Sequence, residues 1–415
     1  MKNWKEITHY AGLDWASDHH DVVVVDADGQ IVGQWRFNHT LEGWQYLAAQ
    51  LRQLDTVAVA VETNQGLAVE QLLAQELTVY PVNPRSARHY RERKAPTGVK
   101  NDQLDAWSLA DALRVDGQGW KPLAPSDPLL AELRLLTRDE VALIEQRTAL
   151  VNQLQAALRD YYPAALEAFD DWTLPGAWAF VEQFPTPARL VQARKRAWEK
   201  FLHTQKLWRP ETAAKRLEIF ARADQFAGSP PVSAARSLLA VTLARLLRAL
   251  QNQLAEYRRR IEELFAQHPD HELFGSLPGL GPKLAPRLLA EVGSDRARFA
   301  SATALQCYAG TAPVTIQSGQ ITKRVMRQAC HDGLRHAVHL WADMSRHTCA
   351  WAQAYYQAHR DKDQSHACAL RCLGQRWLKI LWAMWQAGTT YDGELHARNQ
   401  QKHGSWILQF QPKAL

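Results

Sequence analysis

Over the first part of the chain, β-rich runs and helical spacings alternate in a fixed order, and that order restricts the fold more than any other feature. From Ile7 to about Thr40 the pattern is strand-like: an apolar run ends in Asp14, and DVVVVDADGQIVGQWRF then holds two β-rich segments around an Asp28-Gly29 turn. This reads as a three-stranded meander. Leu41 to Leu54 has helical spacing, Thr56 to Glu62 is a short apolar strand, Leu67 to Gln75 is helical and Thr78 to Val82 is another strand. A further helix is expected to start at Asn101, a good N-cap, and to run through Leu113. Such alternation calls for a mixed sheet with helices on its faces.

Three strands, helix, strand, helix, strand, helix is the order of ribonuclease H-like nucleases, and it gives four acids a common destination. In that order the first and fourth strands are adjacent and parallel. Asp14 in GLDWA and Glu62 in AVAVET then lie side by side, and the last helix, carrying Asp102 and Asp105 on one face of KNDQLDA, crosses over their ends. Taken singly, each acid reads as an ordinary strand-end or turn residue. Crowded together, four carboxylates repel and make sense only around divalent cations. Mg²⁺, with Mn²⁺ as the alternative, takes oxygen ligands, and two such ions about 3.5–4 Å apart clamp the attacking and leaving oxygens of a phosphoryl displacement. The expected chemistry is therefore metal-assisted attack on a nucleic-acid phosphodiester.

At 415 residues the chain should hold two or three domains, here expected at residues 1–120, 121–270 and 271–415. Hydrophobic residues at 46% and charged residues at 22% exclude a disordered chain. Lys and Arg outnumber Asp and Glu by 49 to 43, which favours a polyanionic partner. The local distribution is more pointed. In RSARHYRERKAPTGVK the cations Arg85, Arg88, Arg91, Arg93, Lys94 and Lys100 face the single acid Glu92, in a basic loop leading into the Asp102/Asp105 pair. A charge run is ordinarily a solvated face, but beside a carboxylate cluster these cations suit a phosphate backbone. Five cysteines without a CxxC pair support neither a disulfide framework nor a zinc finger and read as small core residues. The start MKNWKEITHY lacks an apolar leader, and no stretch approaches the roughly 20 apolar residues of a membrane span, so a cytoplasmic protein is expected.

Lys121 to Pro128 reads as the first boundary, with Ser126 capping the next helix. Leu129, Leu133, Leu136, Leu143, Leu150, Leu154 and Leu158 recur at steps of three and four, as do Leu239, Leu243, Leu246, Leu250, Leu254, Tyr257, Ile261 and Leu264. Two long amphipathic helices are expected to pair as a coiled coil, within one chain or between chains. The segment 163–231 between them has scattered Pro and Trp and no assigned role.

Further on, LFGSLPGLGPKLAPRLLAEVG has the pattern of a helix-hairpin-helix, in which Gly279 and Gly281, with Lys283 following, let backbone N–H groups approach a DNA phosphate. A packing hairpin without a ligand is the plainer alternative. In YAGTAPVTIQSGQITKRVMRQACHDGLRHAV, Ser318 lies on a short polar loop followed by Lys323, Arg324 and Arg327. A loop serine is usually a turn former, and as a nucleophile it needs activation. His336 and His339 share a helix face without an acidic partner, so packing is favoured over metal binding for them. Packing is also expected of Trp341, Trp351, Trp377, Trp382 and Trp385. The fold class expected is α/β plus all-α: a ribonuclease H-like mixed sheet, a central helical region and a mainly helical C-terminal domain.

The motifs GLDWA, VET, KNDQLDA, LPGLGPKLA and YAGTAPVTIQSG, in this order and spacing, resemble the DEDD transposases of the insertion sequence 110 family. The resemblance covers nearly the whole chain and is densest over residues 8–112 and 272–345. It implies a RuvC-like domain joined through a coiled coil to a transposase domain with a serine nucleophile. By carry-over, Asp14, Glu62, Asp102 and Asp105 bind Mg²⁺ and Ser318 attacks target or donor DNA, forming a 5′-phosphoserine that a second strand's hydroxyl reverses. The resemblance also implies a noncoding bridge RNA that pairs with both DNAs. It further implies a homo-oligomer, dimer or tetramer, in which one protomer's serine completes another's metal site. Val325 departs from members that have Gly after the Thr-Lys-Arg triplet. From the residues alone, a hydrolytic junction resolvase with a structural Ser318, or a non-catalytic nucleic-acid-binding regulator, stays open. A sugar-kinase relative of the same sheet is disfavoured, because no Gly-rich phosphate loop follows the first strand.

Overall fold

The computed structural model describes residues 4–64, 66–94, 101–123 and 127–406. It divides into two compact units, Met1–Ser126 and Asp127–Leu415.

The first unit is built on a five-stranded sheet. Its strands are β1 (His9–Trp15), β2 (His19–Val25), β3 (Ile31–Asn38), β4 (Val57–Val61) and β5 (Thr78–Pro81), in the spatial order β3-β2-β1-β4-β5. β1 runs antiparallel to β2 and parallel to β4, which is parallel to β5. The run of valines in β2 and the all-buried VAVAV of β4 fit strands covered on both faces. Helices α1 (Leu41–Leu51) and α2 (Leu67–Ala74) contribute Trp44, Leu47 and Leu72 to one apolar layer, with Leu13 and Val59 of the sheet. On the other face, α4 (Asp102–Asp116) buries Ala106, Leu109, Ala110 and Leu113 against Val23, Val25 and Ala58.

Asn101 caps α4 as expected, its side chain accepting from the Leu104 N–H. The basic run does not form a loop throughout. Residues Pro84–Lys94 are helix α3, started by Asn83, whose Oδ1 accepts from the Arg85 N–H. Lys100 lies outside the described residues.

Among the described residues, the second unit is helical apart from one hairpin. Helices α5 (Pro128–Tyr161), α6 (Pro163–Ala168), α7 (Pro175–Gln183), α8 (Pro187–Thr204), α9 (Pro210–Ala221) and α10 (Pro230–Gln267) each begin with proline. Proline suits a helix's first position because the N–H it lacks would have no acceptor there. The prolines scattered through 163–231 are thus helix starts. That segment packs an aromatic core of Phe169, Trp178, Phe180, Phe201 and Phe220.

α5 and α10 pair antiparallel within the chain. The pairing is pinned by Glu132–Arg260, Glu140–Arg258 and Asp160–Arg236. The cap of α5 is Asp127, whose carboxylate accepts from the Leu129 N–H, while Ser126 lies outside the described residues. Leu154 and Leu158 meet Leu243 and Leu247 around the aromatic core. At the opposite end of the pair, Leu130, Leu133, Ile261 and Leu264 join a core made mostly by residues beyond 271. The leucine repeats are only partly buried, since Leu239 and Leu246 are exposed.

The remaining elements are α11 (His271–Gly275), α12 (Gly281–Val292), α13 (Ala302–Tyr308), β6 (Val314–Ser318), β7 (Ile321–Val325), α14 (Asp332–Thr348), α15 (Ala350–Arg360), α16 (His366–Ala387) and α17 (Gly393–Lys402). Trp341, Trp377 and Trp385 are fully buried, as packing residues should be. The five cysteines are unpaired and half-buried rather than core residues. Among the described residues, no helix is long and apolar enough to cross a membrane.

Candidate active site

Sheet register and one glycine bring the acids together. Leu13 pairs with Val61 across the parallel β1–β4 ladder, so Asp14 and Glu62 are the next residues on adjacent strands. Gly12, two residues before Asp14, allows α4 to lie directly on β1. A Cβ there would stand 2.0 Å from the Ala106 carbonyl oxygen and 2.5 Å from the Ala110 nitrogen. Nothing larger than glycine permits that approach, which carries Asp102 and Asp105 to the end of β1.

The clustering is visible in the electrostatics. Burial and the neighbouring charges of Asp105, Glu62, Asp102 and Asp21 push the Asp14 carboxyl up to about 6. Asp105 is buried and accepts from an Arg91 guanidinium nitrogen at 2.9 Å. Asp102, half-exposed at the start of α4, accepts from Arg36 at 3.1 Å. Arg91 therefore does not join the solvent-facing cations of the basic run, because it balances Asp105. Arg88 pairs with Glu92 at 2.7 Å, and Arg93 approaches Asp111 at 4.0 Å. Arg85 is exposed and Lys94 closes α3.

In the second unit, Ser318 is not on a loop. It ends β6, pairs with Ile321, and precedes a two-residue Gly319-Gln320 turn with Gly319 at φ +56°. A positive φ in so short a turn explains the glycine. The hairpin is exposed, and because successive strand residues alternate faces, Lys323 and Arg324 project to opposite sides. Val325 pairs with Val314 and closes the base of the ladder, which is the use this chain makes of its departure from glycine. Arg327 donates to the Ala312 carbonyl at 3.3 Å.

Gly279 and Gly281 do adopt positive φ, but Gly279 faces its own protein: a Cβ there would meet the Ser345 nitrogen of α14 at 2.6 Å. Trp341 Nε1–H donates to the Pro278 carbonyl beside it. The missing Cβ of Gly279 thus admits a helix and not a phosphate. Gly281 and Lys283 stay exposed. His336 Nδ1 accepts from the Arg287 guanidinium at 3.2 Å, which gives its ring a neighbour unsuited to a metal site.

Comparison with known proteins gives this geometry a family. Residues 11–163 match a family model described as a DEDD transposase of the IS110 type, and residues 271–357 match the transposase IS116/IS110/IS902 family. The chain is 33% identical over 402 residues to a Streptomyces coelicolor protein titled "Mini-circle putative transposase for IS117", covering 94% of this chain and 97% of that one. The chain belongs to the IS110 family of transposases. It is also 29% identical to the insertion element IS116 44.8 kDa protein of Streptomyces clavuligerus, over 90% of this chain and 94% of the relative. The insertion element IS900 42 kDa protein of Mycobacterium paratuberculosis is likewise 29% identical, over 92% and 96% of the two chains.

The transposase places three further groups at the acids that the sequence reading missed. Asp21 of β2 pairs in register with Asp14 on one side and with Arg36 of β3 on the other. It is 2% exposed and held by Arg36 through three contacts of 2.9–3.1 Å. His19, Asp21 and Asp102 can bring one ligand atom each within 4.8 Å of one another. Period-two alternation in HHDVVVV puts Asp21 on the face of Asp14, and that signal was available once the antiparallel meander was recognised.

Asp21 and Asp102 thus share Arg36 and lie by His19, Asp105 is held by Arg91, and Asp14 feels the charges of Asp105, Glu62, Asp102 and Asp21. An oxygen-rich donor set with one carboxyl driven towards protonation fits a hard divalent cation.

Proposed function

We propose that the transposase cuts and rejoins DNA by phosphoryl transfer, with Asp14, Glu62, Asp102 and Asp105 holding Mg²⁺ or Mn²⁺ and Ser318 as nucleophile. The observation that carries this reading is the packing that sets Asp14 beside Glu62 and brings α4 with Asp102 and Asp105 onto β1, and burial together with those acids raises the Asp14 carboxyl. The strand order β3-β2-β1-β4-β5, with α4 over β1, supports a ribonuclease H-like, RuvC-like identity for the first unit. A divalent cation bound by these acids would neutralise phosphate charge and stabilise the leaving oxygen.

The chain's own groups supply the remainder. Arg36 and Arg91 hold Asp102 and Asp105 in place. Ser318, exposed beside a tight turn, presents its hydroxyl where a strand can reach it, with Lys323 and Arg324 available to phosphate oxygens. In the cleavage step the Ser318 Oγ–P bond forms, the P–O3′ bond breaks, the serine proton is released, and the 3′-oxygen leaves to become a hydroxyl. In rejoining, a 3′-hydroxyl of another strand attacks the phosphoserine and frees the serine. A bridge RNA supplies sequence recognition by base pairing, and a homo-oligomer brings a serine from one protomer to the acids of another. Arg85, Arg88, Arg93, Lys94, Lys100, Gly281, Lys283 and Arg327 are the proposed nucleic-acid contacts outside the two centres.

The test is covalent trapping on a cleavable DNA of the insertion-element end. Wild type should form a protein–DNA adduct that Ser318→Ala abolishes, and Asp102→Asn should retain DNA binding while losing strand transfer. Normal cleavage by Ser318→Ala would instead leave a hydrolytic resolvase, and strand transfer by Asp102→Asn at the wild-type rate would remove the metal-dependent chemistry.

A further inference from the structure

A cavity of the second unit, about 840 Å³, lies among α5, α12, α14 and α16 and is lined by cations that the carboxylate site and Ser318 leave unused. Arg287 of α12 lines it while being 9% exposed. Its contacts are weak ones for a buried guanidinium, His336 Nδ1 at 3.2 Å and the Gly333 carbonyl at 3.4 Å. Among the described residues no carboxylate reaches it within ion-pair distance. The nearest acid on the same helix, Glu291, is committed to Arg138 through bonds of 2.9 and 3.0 Å. Arg371 of α16, on the cavity wall, has the Met326 sulfur as its one hydrogen-bond partner among the described residues.

A buried cation without a counter-ion costs several kcal/mol of desolvation. Burial lowers the affinity of the Arg287 guanidinium for its proton, and the more distant carboxylates of Glu291, Glu140 and Glu145 offset this only in part. Such a group is kept at a wall when something anionic completes it. The cavity also borders Asp332 and Gly333, the first residues of α14, where the Leu334 N–H donates to Nδ1 of the N-cap His331. A Cβ on Gly333 would meet the Glu291 Oε1 at 2.8 Å, so the absence of a side chain lets the Arg138-bound Glu291 carboxylate lie against this end of the helix.

The lining also carries Arg138, Arg335 and three histidines, with the carboxylates of Glu291 and Asp332 paired to Arg138 and Arg335. Val141, Val338 and Leu370 form an apolar part of the wall beside the cations. Ligand pockets are commonly about 300–1,000 Å³, and this one accommodates a phosphate together with a planar ring. Met326, on its rim, follows directly on Val325, the last residue of the strand opposite Ser318.

We propose that this cavity is a nucleotide-binding site, in which Arg287 and Arg371 take the phosphate and the Val141/Val338/Leu370 wall takes the base. The nucleotide comes either free or as one unit of a single strand. The site deepens the reading of the chain as a nucleic-acid enzyme but does not depend on the chemistry of Ser318.

The test uses the full chain with two probes, thymidine 5′-monophosphate by calorimetry and a short fluorescein-labelled oligothymidylate by anisotropy. Arg371→Ala and Arg287→Gln are compared with Ala367→Glu. Position 367 is exposed in the first turn of α16 and on the cavity lining, so a carboxylate there repels phosphate without entering the core. Removing or opposing a charge-assisted contact should weaken binding about tenfold or more. Loss of monophosphate binding in Ala367→Glu and Arg371→Ala would identify a free nucleotide as sufficient, and loss confined to the oligothymidylate would identify a strand. Unchanged affinity for both probes in these two variants, or no binding of either probe by wild type, would overturn the site even if Ser318 still forms its DNA adduct.

Discussion

Asp14 is the residue at which the crowding of carboxylates can be measured. Its carboxyl is raised from 3.8 to about 6 by burial first and then by Asp105, Glu62, Asp102 and Asp21. Between those pH values the folded chain keeps a proton that the unfolded chain releases, so stability falls as pH rises through this window, and the penalty is fully present above about pH 6. At ~1.4 kcal/mol per pH unit the penalty would be at most about 3 kcal/mol, and partial exposure of the group leaves about 1–2 kcal/mol after solvent screening. In EDTA at pH 8, Asp14→Asn should therefore melt a few degrees above wild type, and the gap should shrink by pH 4. Differential scanning calorimetry at the two pH values decides it; a variant less stable than wild type at pH 8 would refute the repulsion.

At this scale the sequence was legible for the acids, because strand ends and an Asn-capped helix could be read directly from GLDWA, AVAVET and KNDQLDA. It was not legible for Arg36 and Arg91. Their pairing depends on the strand neighbours and on α3 being a helix, and neither is written into the local run of charges.

Elements act here by how closely they approach one another. α4 reaches the end of β1 because Gly12 has no side chain, and Gly12→Ala must displace the Ala106 carbonyl or bend the strand. Overpacking of this kind costs about 1–3 kcal/mol. Chemical denaturation of Gly12→Ala should show that loss together with weaker Mg²⁺ affinity; unchanged values for both would mean that helix and strand do not need the contact. The β6–β7 hairpin depends on its turn in a similar way. Gly319→Val places a β-branched residue at φ +56°, so strand transfer should fall while the far-UV spectrum stays that of wild type. Wild-type strand transfer by this variant would show that the turn does not position Ser318.

Sequence pattern anticipated the strands of the sheet within a residue or two, but not the hairpin. β6 and β7 are exposed on both faces, so no alternation of polar and apolar residues marks them. The helices of 163–231 were written in their prolines and not in their periodicity. For Gly279 the local motif matched two outcomes, a phosphate or a neighbouring helix, and only tertiary packing against Ser345 separates them.

The whole molecule is two compact units, with acids in the first and Ser318 in the second. Within the second, α5 and α10 run antiparallel between an aromatic core at one end and the core of the C-terminal helices at the other. Leu254, fully buried on α10, belongs to neither core. Leu254→Ala should cost about 2–5 kcal/mol, and calorimetry should show one transition lowered while the Mg²⁺-dependent transition of the acid-bearing unit is retained. A shift of the metal-dependent transition by the same amount would show that the two units unfold together.

The claim on which the function rests is that folding gathers acids from β1, β4 and α4 into one cation site. Isothermal titration of Mg²⁺ at pH 8 into wild type and into an Asp14→Asn, Asp105→Asn double variant tests it most directly. Wild type should bind with a stoichiometry of at least one and the double variant should lose that binding, whereas equal affinity in both proteins would mean that these carboxylates do not share a metal.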